Sequence, residues 1–250
     1  VRYLEHVQTC FVTFVKDVPG FAWNPPPAHN YVDDHVYAKL QQLKFEPSGL
    51  GTDEEFLRRA SLDLFGLLPS VEETNRFLAD PTPYKRKQLI EDLMRRPEYA
   101  KFWALKWGDL LRMTTTAVGG EGVHKYHRWV QRALEDNMPY DQFARELLAS
   151  SGSTLSNPPA NFYRTTADAN DCVETISQVF LGSRLQCAKC HNHPFERWTQ
   201  DNYYGMAAVF NRVQKKKTRR PDELYGLTRS DDGGESRIGR GCCQVPGTTR

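Results

Sequence analysis

No stretch of this 250-residue chain approaches the roughly 20 consecutive apolar residues that a membrane-spanning helix needs. The nearest thing, Cys10-Phe-Val-Thr-Phe-Val15, is short and flanked by polar residues, so it reads as a strand or a collapsed peptide. A charge excess of either sign is also missing. Thirty-three basic residues stand against 31 acidic ones, a formal net charge of +2, which argues against a dedicated nucleic-acid binder and against an acidic solvating tail. There is no GxGxxG or GxxxxGK[ST] loop to cradle phosphates. The GxSxG elbow and the HExxH zinc helix are lacking too, so nothing marks a hydrolase. Cysteines number only six, at 10, 172, 187, 190, 242 and 243, too few to scaffold a chain this long with disulfides. The first residue is Val rather than Met, which points to an excerpt or a processed chain.

What is present is helical patterning with ample core material, including 12% aromatic residues and five Trp. Val32, Val36, Leu40 and Leu43 form one apolar stripe of an amphipathic helix. Thr52 with Glu55, and Ser70 with Glu73, are capping boxes that open two further helices. Others follow around Leu89 to Met94, Trp103 to Leu111, Tyr126 to Leu134, Phe143 to Leu148, Cys172 to Leu181 and Tyr203 to Val213. The pattern predicts an all-α, irregular multi-helix domain over residues 30–213. Residues 1–29, with Trp23-Asn-Pro-Pro-Pro27, read as an extended lead-in. Residues 214–250 read as a basic, flexible tail that is incomplete or truncated. Gly119 to Gly122 and Ser150 to Pro159 read as mobile loops between helices. Cys172 shares a stripe with Ile176 and Phe180, so it is expected as a small buried residue. Glu146 and Glu174 read as solvated helix residues.

Chemistry concentrates in Leu185-Gln-Cys-Ala-Lys-Cys-His-Asn-His-Pro-Phe-Glu-Arg-Trp198. Cys187-Ala-Lys-Cys190-His191 fits the C-x-x-C-H pattern of covalent haem c attachment. Two thiols three residues apart can reach two vinyl groups on one porphyrin edge, and the imidazole that follows can lie under the iron as its axial ligand. Two rival readings stand beside it. In one, Cys187 and Cys190 bind zinc or iron with His191 or His193, and a fourth ligand comes from His124 or His127, which share a helix face. Such a metal-stabilised module would dock flanking domains or a polysaccharide through the helix of Trp103 and Trp107. In the other, the cysteine pair is purely structural. A distal haem ligand would come from His127, at the edge of an apolar stripe, before His124 on the polar side. Met206, on a buried face with Tyr203 and Phe210, reads more simply as packing.

The chain also resembles a cytochrome c-like domain family typical of planctomycete bacteria. The likeness rests on Tyr31-Val-Asp-Asp-His35, on Arg58-Arg-Ala-Ser-Leu-Asp-Leu-Phe-Gly-Leu-Leu-Pro69, and on Asn137-Met-Pro-Tyr-Asp-Gln-Phe143. It continues through Phe180-Leu-Gly-Ser-Arg-Leu-Gln-Cys-Ala-Lys-Cys-His-Asn-His-Pro-Phe195, Trp198 and Asp201-Asn-Tyr-Tyr204. Together these span about residues 27 to 213. The resemblance implies an exported or periplasmic protein with a c-type haem on Cys187 and Cys190 and His191 as ligand. Relatives of this kind are typically large, with another cytochrome c-like region before this domain and a second uncharacterised domain after it. Redox partners or such flanking domains are therefore the expected partners.

Overall fold

A computed structural model describes residues 2–3, 6–7, 12–220 and 223–229. The helices are α1 Tyr31–Gln42, α2 Asp53–Phe65, α3 Val71–Ala79, α4 Lys85–Met94, α5 Pro97–Leu110 and α6 Thr115–Val118. They continue with α7 Gly120–Glu135, α8 Tyr140–Ala149, α9 Phe162–Thr165, α10 Ala169–Phe180 and α11 Gln200–Phe210. Short 3₁₀ turns lie at Pro158–Asn161 and Gln186–Lys189. Strands β1 Arg2–Tyr3 and β2 His6–Val7 pair antiparallel. A small antiparallel sheet joins β3 Gly152–Ser153, β5 Glu223–Arg229 and β4 Val213–Arg220, in that order. The fold is thus mostly helical, as the periodicity predicts. None of the helices among the described residues is long and apolar enough to cross a membrane.

Local chemistry sets the helix ends. Thr52 accepts the Glu55 amide through Oγ1 at 3.3 Å, while the Glu55 carboxylate accepts the Thr52 amide at 3.0 Å. Ser70 and Glu73 exchange the same two bonds at 3.2 and 2.8 Å. Each box satisfies amides that the first turn would otherwise leave without a partner. Gly66 ends α2 at φ +75°, and a Cβ there would sit 2.4 Å from the Phe102 ring, so only glycine fits. α2 then packs against α3, α4 and α5.

The larger core lies between α5, α7, α8, α9 and α10. Tyr126, Val130, Leu147 and Phe162 are wholly buried in it. Trp107 and Trp129 close it, their rings 4.9 and 5.0 Å from Phe143. Burial of one such side chain stabilises by about 1.5–3 kcal/mol. Cys172 joins this core as expected, and burial pushes its thiol up to about 12.

Four segments differ from the sequence expectation. α1 forms, but none of its residues is buried, and Val32 and Val36 remain exposed. An amphipathic stripe specifies a helix without guaranteeing a partner for its apolar face. The glycine run is no loop: α7 starts at Gly120, and Gly122 is buried where a Cβ would press on the Asn161 side chain at 3.3 Å. Ser150 to Pro159 is tied down as well, since Asn161 Nδ2 donates to the Thr154 carbonyl at 2.7 Å and Asn157 Nδ2 to the Ser151 carbonyl at 2.8 Å. Finally, α11 stops at Phe210, and Val213 begins a hairpin that carries ordered structure into the expected tail.

The hairpin is anchored by a buried acid. Glu223 accepts from the Ser153 hydroxyl at 3.0 Å and the Thr154 hydroxyl at 2.9 Å, and also from the Thr154 amide. Burial disfavours its ionised form, yet these hydrogen bonds prevail and hold its carboxyl below the usual range. Lys215 reaches back from β4 to the Thr166 carbonyl at 2.6 Å. The remainder of the expected tail, with Cys242 and Cys243, lies outside the described residues, as does Cys10.

Candidate functional site

The buried stripe of α10 leads directly to the cysteine–histidine segment. After Phe180 the chain reverses at Gly182, φ +63°, and the Ser183 amide bonds back to the Ser177 carbonyl at 2.9 Å. Leu185 and Ala188 then drop into a second, smaller core with Val173, Tyr203 and Ala207. Burying Leu185, just before the 3₁₀ turn, and Ala188 within it turns the two cysteines outward. Cys187 and Cys190 are accordingly exposed free thiols on one turn, with both the Cys190 and His191 amides directed at the Cys187 carbonyl.

The two histidines have different fates. His191 is exposed, and its Nδ1 lies 2.7 Å from the Asn192 carbonyl oxygen. A carbonyl can only accept, so in the neutral ring Nδ1 carries the proton and Nε2 keeps a lone pair. That is the tautomer in which an imidazole ligates a metal through Nε2, with the second nitrogen fixing the ring. His193 is buried at 8% exposure, and its Nδ1 accepts the amides of Phe195 at 3.2 Å and Glu196 at 3.0 Å. Its own amide bonds to the Trp198 carbonyl at 2.8 Å. With Nδ1 occupied as an acceptor, the neutral ring holds its proton on Nε2, where a ligand would need a lone pair. His193 therefore closes the 193–198 loop, and its expected place among the ligands does not fit this geometry.

The middle of the motif is gripped by α10 and α11. The Lys189 carbonyl accepts from Gln200 Nε2 and from the Tyr204 hydroxyl, each at 3.1 Å. Lys189 Nζ lies 3.7 Å from Glu174 Oε1, which also accepts the hydroxyl of the fully buried Tyr203 at 2.9 Å. Burial, reinforced by the Glu174 carboxylate, pushes the Tyr203 phenol far up. The Asn192 side chain accepts the Gln200 amide at 3.1 Å. Glu174 is thus not the solvated helix residue that the sequence suggests. Nothing in sequence spacing could pair residues 174, 189 and 203, because a tertiary contact brings them together.

The other sequence candidates are dispersed. His124 is exposed on α7, and His127 is half-buried there with its Nε2 enclosed and without a hydrogen-bond partner. α7 packs on α5, α6 and the Pro158–Asn161 turn, while the motif turn packs on α11. Met206 borders the core that contains Leu185 and Ala188. Among the described residues, no three His, Cys, Asp or Glu side chains converge as a metal-binding group. Both indoles of the helix of Trp103 and Trp107 are half-buried and engaged within the fold. Trp103 Nε1 donates to the Leu64 carbonyl at 3.1 Å, and Trp107 packs on Phe143, Phe180 and Tyr140.

Fold and site together define a helical domain with a rigidly held cysteine–histidine turn at its periphery. The chain belongs to the PSCyt2 family, described as a protein of unknown function (DUF1549), which it matches over residues 31–215. No curated protein and no solved structure matches it.

Proposed function

We propose that the domain carries one covalently attached haem c on Cys187 and Cys190 with His191 as axial ligand, and serves in electron transfer or as the redox module of a larger exported protein. One observation carries this reading. Two exposed free thiols three residues apart are followed at once by an exposed imidazole whose Nδ1 faces the Asn192 carbonyl, so that its neutral form presents Nε2 as the lone-pair donor. The donor set fits the group. Each thiol would add across one vinyl double bond, the sulfur bonding one carbon and the thiol hydrogen going to the other, so no oxidant is required. His191 would bind through Nε2 while the Asn192 carbonyl holds the ring by Nδ1–H. When bound, haem supplies one-electron redox chemistry tuned by its axial ligands and its exposure.

Export is in keeping with this chemistry, because haem ligation to reduced thiols takes place outside the cytoplasm. Redox partners or flanking domains of a larger chain would meet the domain on the exposed side of the turn. The test is expression alongside a haem-ligation system, followed by the pyridine-haemochrome spectrum of the denatured chain. A haem c spectrum is expected for the wild type, and it should vanish in the Cys187→Ala, Cys190→Ala double variant. A colourless wild type would sink the proposal. Stoichiometric zinc or iron without porphyrin would replace it with the non-haem metal reading.

A further inference from the structure

The two residues between the thiols, Ala188 and Lys189, are held by side chains from outside the motif. Ala188 is packed in the smaller core, and the Lys189 carbonyl is bonded twice, by Gln200 and Tyr204. The Lys189 side chain reaches the carboxylate of Glu174 on α10, and that carboxylate is itself fixed by the buried Tyr203 hydroxyl. The side chains of Glu174 and Lys189 are 19% and 37% exposed, so the pair is more shielded than an ordinary surface ion pair. A two-residue span held at a carbonyl and a side chain has little freedom to vary the separation of its flanking cysteines.

We infer that Glu174 is a positioning residue for the cysteine–histidine turn, acting through Lys189 to keep Cys187 and Cys190 in one fixed mutual placement before any cofactor arrives. This rests on the reading that the turn is the working site, but it concerns the chain's own thiols and is measurable without haem. Thiols held side by side have a high effective concentration for each other, and loosening the turn lowers it. Equilibration with glutathione and glutathione disulfide reads that quantity. The two thiols lose two hydrogens and form one disulfide, while one glutathione disulfide is reduced to two glutathiones.

The experiment is a double-mutant cycle on the haem-free full chain, with the Cys187–Cys190 disulfide quantified by peptide mapping. Glu174→Ala and Lys189→Met are each expected to lower the dithiol–disulfide equilibrium constant about threefold or more. The double variant should match the worse single variant, because both act through one contact. Should Glu174→Ala fail to fold by circular dichroism, Glu174→Gln takes its place in the cycle. Single variants at the wild-type value would overturn the inference, and so would effects that multiply in the double variant. A wild type that never takes haem would defeat the proposed function while leaving this cycle fully readable, so the two failures are distinguishable.

Discussion

In the larger core, Tyr126, Val130, Leu147 and Phe162 lose all contact with water against other side chains. The smaller core buries Val173, Leu185 and Tyr203 in the same way, but its outer side is a turn held by polar bonds to Lys189, Asn192 and His193. The first arrangement suits stability, because apolar burial is roughly proportional to area and indifferent to direction. The second suits placement, because hydrogen bonds fix distance and orientation. The domain thus separates what keeps it folded from what aims its thiols and imidazole.

That separation can be broken on either side. Phe162→Ala empties a fully buried site and should cost about 3–5 kcal/mol in denaturant unfolding. The Cys187→Ala, Cys190→Ala double variant changes only exposed side chains and should stay within about 0.5 kcal/mol of the wild type. Thiol labelling of the native chain at pH 8 gives the next contrast. Cys187 and Cys190 should react at least ~100-fold faster than Cys172, whose thiol is enclosed and raised to about 12.

The paired histidines separate placement from ligation. His193→Ala strips two amides of their acceptor and should cost about 1–3 kcal/mol, with faster hydrogen exchange at Phe195 and Glu196. His191→Ala should leave stability within about 0.5 kcal/mol, since that ring is exposed. If the two variants destabilise equally, the assignment of His193 to loop closure is wrong.

The smallest effect lies away from the turn, in the α2–α4 layer. Hydrogen bonds from Lys85 and then Arg86 hold the Asp53 carboxyl below its ordinary value of 3.8. A depressed folded-state value means that its contribution is complete above the ordinary value and is lost as pH falls through the folded one. Asp53→Asn should therefore flatten the fall in Tm below about pH 4 and leave its slope at neutral pH unchanged. An unchanged acid limb would remove Asp53 from the account.

Sequence made the helices legible wherever their signals are local. The boxes of Thr52 with Glu55 and of Ser70 with Glu73 form as read, and the stripe through Tyr126, Val130 and Ala133 faces the core. Val32 and Val36 carry an equally clear stripe with no cover, because periodicity records a face and not its partner. The hairpin after Val213 is hidden because Gln214, Lys216 and Lys217 are exposed and Lys215, which reaches inward to the Thr166 carbonyl, is itself charged. No apolar alternation exists there to betray a strand. At the candidate site, C-x-x-C-H picks out the thiols and His191 for attention, because that pattern lies in local spacing. Glu174, Gln200 and Tyr204 were out of reach, because their roles depend on how α10 and α11 pack.

The intact mass of the denatured wild-type chain, made alongside a haem-ligation system, tests the central claim most directly. The account predicts the polypeptide mass plus one haem, retained through denaturation by Cys187 and Cys190. The bare polypeptide mass would contradict it.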